Sequence, residues 1–192
     1  MKKFFLMLIC FLLSSSVVSA ESKLEQATFA GGCFWCLQAP FDKIEGVVQT
    51  DVGYSGGKVE NPTYKNVSKG ITGHLEVMQV TFDTEKVSYE KILDTFWRNI
   101  DPFDAGGQFC DRGQQYSTAI FYHNETQKEL AEKSKQKISK SKKKVVTPII
   151  PMEKYYSAEG YHQKYYKKNP LRYKMYRLGC GRDSKLKKIW GK

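Results

Sequence analysis

The sequence contains no apolar run long enough to cross a bilayer as a helix, which argues against an integral membrane protein. It also lacks a second Cys-x-x-Cys motif and a matching pair of histidines, so we expect no metal site. No internal repeat is present, and 192 residues suit one domain, or a small domain with tails. With 41% hydrophobic residues, the chain is apolar enough to exclude wholesale disorder.

The N-terminus has the features of an export signal. Lys2 and Lys3 precede an apolar stretch over residues 4–13 that is too short for a membrane anchor, and small residues lead up to Ala20. We expect cleavage after Ala20, which leaves residues 21–192 as a single domain in the periplasm or outside the cell. The loss of two lysines lowers the formal net charge from +11 to +9.

The positive charge is concentrated in the second half of the chain. Seven lysines lie between Lys133 and Lys144 with no acid among them, and more basic residues follow between Lys164 and Lys192. Such a cluster forms either a patch for phosphate backbones or the solvated face and end of a helix. We favour the helix face and expect no nucleic-acid partner, because export removes most of them.

The sequence predicts strands over residues 24–30, 47–53, 75–82 and 116–122, and helices over 33–43, 88–100 and 124–140. The helix over 88–100 shows the helical hydrophobic period. Ser88 and Asn124 are the expected caps of the last two helices. The order strand, helix, strand, strand, helix, strand is that of the split βαβ, or ferredoxin-like, arrangement. We therefore predict an α+β two-layer sandwich with a mixed sheet, its helices on one face, and a C-terminal extension over residues 145–192.

The most informative segment runs from Gly31 to Cys36 and has the sequence GGCFWC. Two glycines end the first predicted strand, and Cys33 begins a helix. Backbone N–H groups and the positive end of the helix then point at its sulfur, which predicts a thiol pKa below the ordinary value. Cys36 lies one turn later on the same face, so it is placed to meet an oxidised Cys33.

Three interpretations of this cysteine pair compete at this point. It is a structural disulfide or buried thiol, a thioredoxin-like exchange site, or a nucleophile that handles a peroxide or a sulfoxide. Phe34 and Trp35, between the two cysteines, make an apolar pocket beside the thiol. Such a pocket suits a small hydrophobic group better than broad contact with a disulfide-containing protein.

A carboxylate lies on an apolar face of the strand predicted over residues 75–82. Because alternate residues of a strand share a face, Glu76 lies beside Met78, Val80 and Phe82. If that face is the core, burial raises the pKa of Glu76 and lets it act as a general acid near neutral pH. If Glu76 instead lies at a frayed strand end, it faces water, and the pattern alone does not decide between the two.

A thiolate, a protonated carboxyl group and an aromatic pocket suit the reduction of an S=O bond, as in methionine sulfoxide. At this point the sequence closely resembles the peptide methionine sulfoxide reductase A family. The resemblance runs from about residue 28 to residue 190 and rests on ordered segments: Gly32-Cys33-Phe34-Trp35-Cys36, Gly53-Tyr54-Ser55-Gly56-Gly57, Asn61-Pro62-Thr63-Tyr64, Gly73-His74-Leu75-Glu76, Asp101-Pro102, Asp111-Arg112-Gly113-Gln114-Gln115-Tyr116, Tyr161-His162-Gln163 and Asn169-Pro170.

The resemblance implies a role for each matching residue. Cys33 would attack the sulfoxide sulfur and become a sulfenic acid, Phe34 and Trp35 would hold the substrate methyl group, and Glu76 would protonate the oxygen. Hydrogen bonds on the polar side of the site would come from Tyr64, Asp111 and Tyr116.

The resemblance also implies the substrates and partners. The family acts on the S epimer of methionine sulfoxide, in proteins and as the free amino acid, and uses no metal or organic cofactor. Its electrons normally come from thioredoxin-like donors. We further expect a monomer with no stable membrane insertion after signal cleavage.

Two cysteines are candidates for resolving the oxidised Cys33. Cys36 is the nearer one, whereas Cys180, between two glycines, resembles the resolving cysteine on a flexible tail in many members of the family. We expect Cys36 to form the first disulfide and Cys180 to pass it outward. Cys110 is expected to be a buried structural thiol, and His162 to make a core hydrogen bond.

Two other functions stay open. A thiol–disulfide oxidoreductase would reduce insulin but not a sulfoxide. A basic, exported binding module would bind heparin or nucleic acid near physiological salt and show no turnover.

Overall fold

The computed structural model describes residues 23–140 and 144–191. The predicted signal peptide and part of the lysine cluster, Lys142 and Lys143, lie outside these ranges. Within them, no helix combines the length and apolar character needed to cross a bilayer. The strands are β1 Leu24–Gly31, β2 Val47–Ser55, β3 Leu75–Asp83, β4 Gly107–Gln108, β5 Asp111–Arg112, β6 Thr118–Tyr122, β7 Ile149–Pro151 and β8 Tyr155–Ser157. The helices are α1 Phe34–Phe41, α2 Tyr64–Val67, α3 Tyr89–Trp97, α4 Glu125–Ser139, α5 Tyr165–Lys168, α6 Pro170–Gly179 and α7 Arg182–Trp190, with a 3-10 turn over Gln114–Tyr116.

Six strands form one mixed sheet in the order β7-β6-β1-β3-β2-β8. The pairs are antiparallel except β6 with β7, which is parallel. The strands β7 and β8 come from the C-terminal extension and add one edge each to the four strands expected from the sequence. The fold is thus α+β, and the extension belongs to the same sheet as the rest of the chain.

The main core lies between one face of the sheet and the helices α1, α3 and α4. On β1, Phe29 points into this core, whereas Ala30 joins a smaller apolar cluster on the opposite face with Val77 and Phe121. Both faces of the central strands are therefore covered. This is why β3 is buried or half-buried at every position and carries a buried carboxylate near its beginning.

The predicted helix starts are confirmed. The side chain of Ser88 accepts a hydrogen bond from the Lys91 amide (3.3 Å), and that of Asn124 accepts one from the Gln127 amide (2.9 Å). The first helix differs from its prediction: α1 begins after Cys33, which is its N-cap, and ends at Phe41. Pro40 lies inside its last turn and lacks the amide hydrogen that would continue the ladder.

Candidate active site

Cys33 lies at a turn that only glycine permits. Gly32, directly before it, has φ of +79°, and a Cβ at this position would come within 2.5 Å of the Gln108 Cβ atom. Gln108 is itself fixed, because its side-chain amide bonds the backbone N–H and C=O groups of Asp101, each at 2.8 Å. The chain therefore turns sharply from β1 into α1, and the Cys36 amide donates to the Cys33 carbonyl at 3.0 Å.

The two cysteines are free, adjacent thiols with little exposure, 6% for Cys33 and 1% for Cys36. Burial raises the pKa of Cys33 well above its ordinary value, and the hydrogen bond with Cys36 and the charge of Glu76 raise it further. The same hydrogen bond from Cys33 lowers the pKa of Cys36 to about 7, with help from the charges of Arg182 and Arg177. The predicted low pKa of Cys33 is thus wrong for the resting pair, because burial outweighs the helix dipole there. The proton rests on Cys33, and Cys36 is the more acidic thiol.

Glu76 lies on the face of β3 that packs against the main core, with 1% exposure. Its Oε2 atom accepts a hydrogen bond from the Phe34 amide at 3.0 Å, which ties it to the first residue of α1. Burial raises the pKa of Glu76 to about 8; the Phe34 amide partly opposes this rise, and the charge of Asp111 adds to it. The carboxyl group is therefore protonated at neutral pH and lies beside the cysteine pair.

An aromatic wall stands next to the thiols. Trp35 stacks on Tyr165 with ring centres 3.8 Å apart, and its indole N–H donates to Nδ1 of His162 at 2.9 Å. Phe34 is fully buried, with its ring centre 5.0 Å from that of His162. His162 has the core hydrogen bond expected from the sequence. Because burial lowers its pKa, it is a neutral acceptor for Trp35 with the proton on Nε2.

The three polar residues implied by the resemblance lie around the same site. Burial, followed by the charges of Glu76 and Cys33, raises the pKa of Tyr64 to about 12, and the same causes raise the pKa of Tyr116. Burial raises the pKa of Asp111 as well, although a hydrogen bond from Tyr176 counteracts it. The structure thus brings Tyr64, Tyr116 and Asp111 within electrostatic reach of one carboxyl group and one thiol.

Two cysteine predictions need correction. Cys110 is an exposed partner in a disulfide with Cys180, not a buried free thiol. Cys180 is buried between α6 and α7 and is not on a flexible tail. The two residues are separated by 70 positions, so no local pattern announces their pairing. In this state Cys180 has no free thiol with which to resolve Cys33.

Two further residues at the site were missed from the sequence. Tyr176 donates its hydroxyl hydrogen bond to Asp111, and Arg182 lies fully buried with its Nη2 atom on the carbonyl of Gly31 (3.1 Å). Both come from the extension. The spacing of Tyr173, Tyr176 and Cys180 on one helix face after Asn169-Pro170 is the only local signal for Tyr176, and Arg182 has none.

Comparison with known proteins gives a consistent result. Residues 25–192 match the family model described as "Peptide methionine sulfoxide reductase". A curated Bacillus subtilis protein, "Peptide methionine sulfoxide reductase MsrA", is 54% identical over 174 residues, which cover 89% of this chain and 98% of that protein.

Solved structures are similar as well. The reduced form of Mxr1 from Saccharomyces cerevisiae has a TM-score of 0.73 and 34% identity over 79% of this chain and 88% of that one. Methionine sulfoxide reductase A of Corynebacterium diphtheriae has a TM-score of 0.70 and 31% identity, covering 77% of this chain and 76% of that one.

Proposed function

Because the chain belongs to the peptide methionine sulfoxide reductase family, we propose that it reduces methionine sulfoxide to methionine, with Cys33 as the attacking thiol. The observation that carries this assignment is the contact of Glu76 with the start of α1. A carboxyl group that keeps its proton at neutral pH lies beside two buried thiols and an aromatic wall. The same site offers a proton to the polar oxygen of methionine sulfoxide and an apolar surface to its methyl group.

In the first step, Cys33 passes its proton to the Cys36 thiolate through their hydrogen bond and attacks the sulfoxide sulfur. The attack forms a transient S–S bond. Glu76 protonates the oxygen, which passes to the Cys33 sulfur as its bond to the substrate sulfur and the S–S bond both break. The products are methionine and a sulfenic acid on Cys33, so the substrate sulfur is reduced by two electrons and the cysteine sulfur is oxidised by two. Phe34 and Trp35 hold the methyl group, and Tyr64, Tyr116 and Asp111 supply hydrogen bonds on the polar side.

In the second step, Cys36 attacks the Cys33 sulfur and expels the oxygen, which leaves as water with the proton of Cys36. A Cys33–Cys36 disulfide remains, and an external dithiol must reduce it. We propose Cys36 as the first resolving residue, since it is already hydrogen-bonded to Cys33. Cys180 takes part only if its disulfide with Cys110 is first opened.

We propose a thioredoxin-like protein as the reductant. A further solved structure of yeast Mxr1 is described as a complex with Trx2, which supports this class of donor. We also propose that the S epimer is the substrate, in proteins and as the free amino acid, as the family resemblance implies.

We further propose export, with cleavage after Ala20, and a ferredoxin-like description of the four central strands. Their order β6-β1-β3-β2, with all neighbours antiparallel, supports the second point. The Cys110–Cys180 disulfide supports the first, since such bonds persist in oxidising compartments. An intact mass of the exported protein that includes residue 1 would contradict the cleavage.

The test is turnover of the separated S and R epimers of methionine sulfoxide by residues 21–192 with dithiothreitol. We expect reduction of the S epimer alone and its loss in Cys33→Ser. Reduction of insulin without turnover of either epimer would instead select a thiol–disulfide oxidoreductase.

A further inference from the structure

The helix α6, from the C-terminal extension, faces the active site with Tyr173, Tyr176 and Arg177. The helix contributes no fully buried side chain, and Leu171, Met175 and Leu178 point away from the protein. Tyr176 points inward, and its ring meets the ring of Trp35 edge-on with centres 5.8 Å apart. The position of α6 therefore depends on few contacts, of which Tyr176 is one.

The Tyr176 hydroxyl group is bonded to the carboxylate of Asp111. It lies 2.7 Å from Oδ1 and 2.6 Å from Oδ2, so a single O–H is shared between both oxygens. Burial raises the pKa of Tyr176, and so do the nearby Cys33 sulfur and Asp111, so this hydroxyl group lies close to both. Tyr176 thus connects Asp111 to the sulfur that attacks the substrate.

The hydrogen bond between Tyr176 and Asp111 affects which groups of the site are charged. Burial pushes the pKa of Asp111 up, and the hydrogen bond from Tyr176 is the main influence that pulls it down, ahead of the charge of Arg182. An ionised Asp111 in turn raises the pKa of Glu76 and so helps it keep its proton. Tyr176 therefore favours a charged Asp111, which in turn helps Glu76 keep the proton that the proposed chemistry requires.

The Cys110–Cys180 disulfide joins the two segments that carry this pair. Cys110 directly precedes Asp111, and Cys180 lies one helical turn after Tyr176, whose carbonyl accepts the Cys180 amide at 2.9 Å. The Cys110 amide also donates to the Cys180 sulfur at 3.2 Å. The covalent bond thus lies next to both ends of the Tyr176–Asp111 contact.

We propose that Tyr176 is a further positioning residue of the active site, which holds the Asp111 carboxylate beside Cys33, and that the Cys110–Cys180 disulfide keeps Tyr176 in place. The effect of Tyr176 on turnover rests on the proposed function, whereas the contact between Tyr176 and Asp111 does not depend on it.

The test follows the titration of Asp111, so every group that faces it matters. These groups come from six parts of the fold and are Cys33 and Cys36 at α1, Glu76 on β3, Tyr64 on α2, Tyr116 in the 3-10 turn, Tyr176 on α6 and Arg182 on α7. The variant Tyr176→Phe removes only the Tyr176 hydroxyl group and keeps the other ionisable groups around Asp111.

The experiment is a carbon-13 NMR titration of the aspartate carboxyl groups in oxygen-free buffer without reductant, with the Asp111 signal assigned from Asp111→Asn. In Tyr176→Phe, we expect the pKa of Asp111 to rise by about one pH unit, and kcat/KM for the S epimer to fall roughly tenfold. Tyr173→Phe is the matched control on the same helix, since its hydroxyl accepts a hydrogen bond from Arg177 instead (3.4 Å). An Asp111 pKa that is the same in Tyr176→Phe as in the wild type would overturn the proposal.

The disulfide is tested with the double variant Cys110→Ser/Cys180→Ser. We expect the pKa of Asp111 to rise in this background, and Tyr176→Phe to raise it less than it does in the wild type, because part of the contact is already lost. The role of the disulfide would be overturned if the pKa of Asp111 were unchanged in the double serine variant and Tyr176→Phe raised it equally in both backgrounds. If the wild-type protein reduces neither epimer, the proposed function fails, while the NMR titration still decides whether Tyr176 holds Asp111.

Discussion

The Oε2 atom of Glu76 lies 3.0 Å from the amide nitrogen of Phe34, the residue that directly follows the proposed nucleophile Cys33. One hydrogen bond thus fixes the distance between the proposed acid on β3 and the start of α1. Because Glu76 is buried to 1% exposure, the same geometry keeps its proton in place at neutral pH. The proposed acid is therefore held next to the proposed nucleophile by the backbone at the start of α1.

Glu76→Gln tests the acid. Glutamine preserves the shape and can still accept from Phe34, but it cannot protonate the sulfoxide oxygen. We expect kcat/KM for the S epimer to fall by roughly 10²–10³. Wild-type activity should decline as the pH rises through about 8, where Glu76 loses its proton, and this decline should vanish in the variant. A variant with wild-type kcat/KM would remove Glu76 from the mechanism.

The same substitution should stabilise the fold. The pKa of Glu76 is about 8 in the folded chain against 4.5 for an ordinary glutamate, so the folded state binds the extra proton between these values. The free energy of unfolding therefore falls as pH rises across this window. Glu76→Gln escapes that loss, and we expect it to be more stable than the wild type by roughly 3 kcal/mol at pH 7 and by little at pH 5. Urea unfolding at both pH values measures this; an equal difference at the two would contradict it.

Arg182 should set the acidity of the second thiol. Its guanidinium group is fully buried, lies 4.4 Å from the Phe109 ring centre and lowers the pKa of Cys36, after the larger effect of the Cys33 hydrogen bond. Thiolate absorbance at 240 nm should show one transition near pH 7 in the wild type. It should move up by about one pH unit in Arg182→Met and stay in place in Arg182→Lys, which keeps the charge. Cys36→Ser identifies the transition by abolishing it.

Gly32→Ala should disrupt the turn before Cys33. The added Cβ would meet the fixed Gln108 side chain at 2.5 Å, in a backbone conformation that alanine disfavours. We expect a loss of at least about 2 kcal/mol in the free energy of unfolding. Gly160→Ala is the control, since no atom lies within 4 Å of its Cβ position, and should be near neutral. Similar stability of the two variants would contradict the close approach.

Local signals predicted much of this molecule. Local patterns placed β1, β3, α3 and α4, and the alternation along β3 left Glu76 either in the core or at a frayed strand end; the structure places it in the core. Those features depend on neighbours within one turn or one strand. What depended on distant segments was missed, namely the edge strands β7 and β8 and the contact of Tyr176 with Asp111, 65 positions away.

For the cysteines, too, local features were predicted and features that depend on distant segments were not. Their spacing placed Cys33 and Cys36 together at the start of a helix, which is a local matter. The lowered pKa predicted for Cys33 was wrong, because its burial, which raises the pKa, comes from the packing of the whole chain. The pairing of Cys110 with Cys180 likewise joins a loop to a helix end, and no spacing rule indicates it.

The most direct test of the account is a single turnover of Cys36→Ser with the S epimer in the presence of dimedone, which traps sulfenic acids. Without a resolving thiol, each enzyme molecule should release about one methionine and carry one dimedone adduct, located on Cys33 by peptide mass mapping. Cys33→Ser should release none and carry none. Methionine release by Cys33→Ser, or an adduct on another residue, would contradict the claim that Cys33 is the sulfur that takes the oxygen.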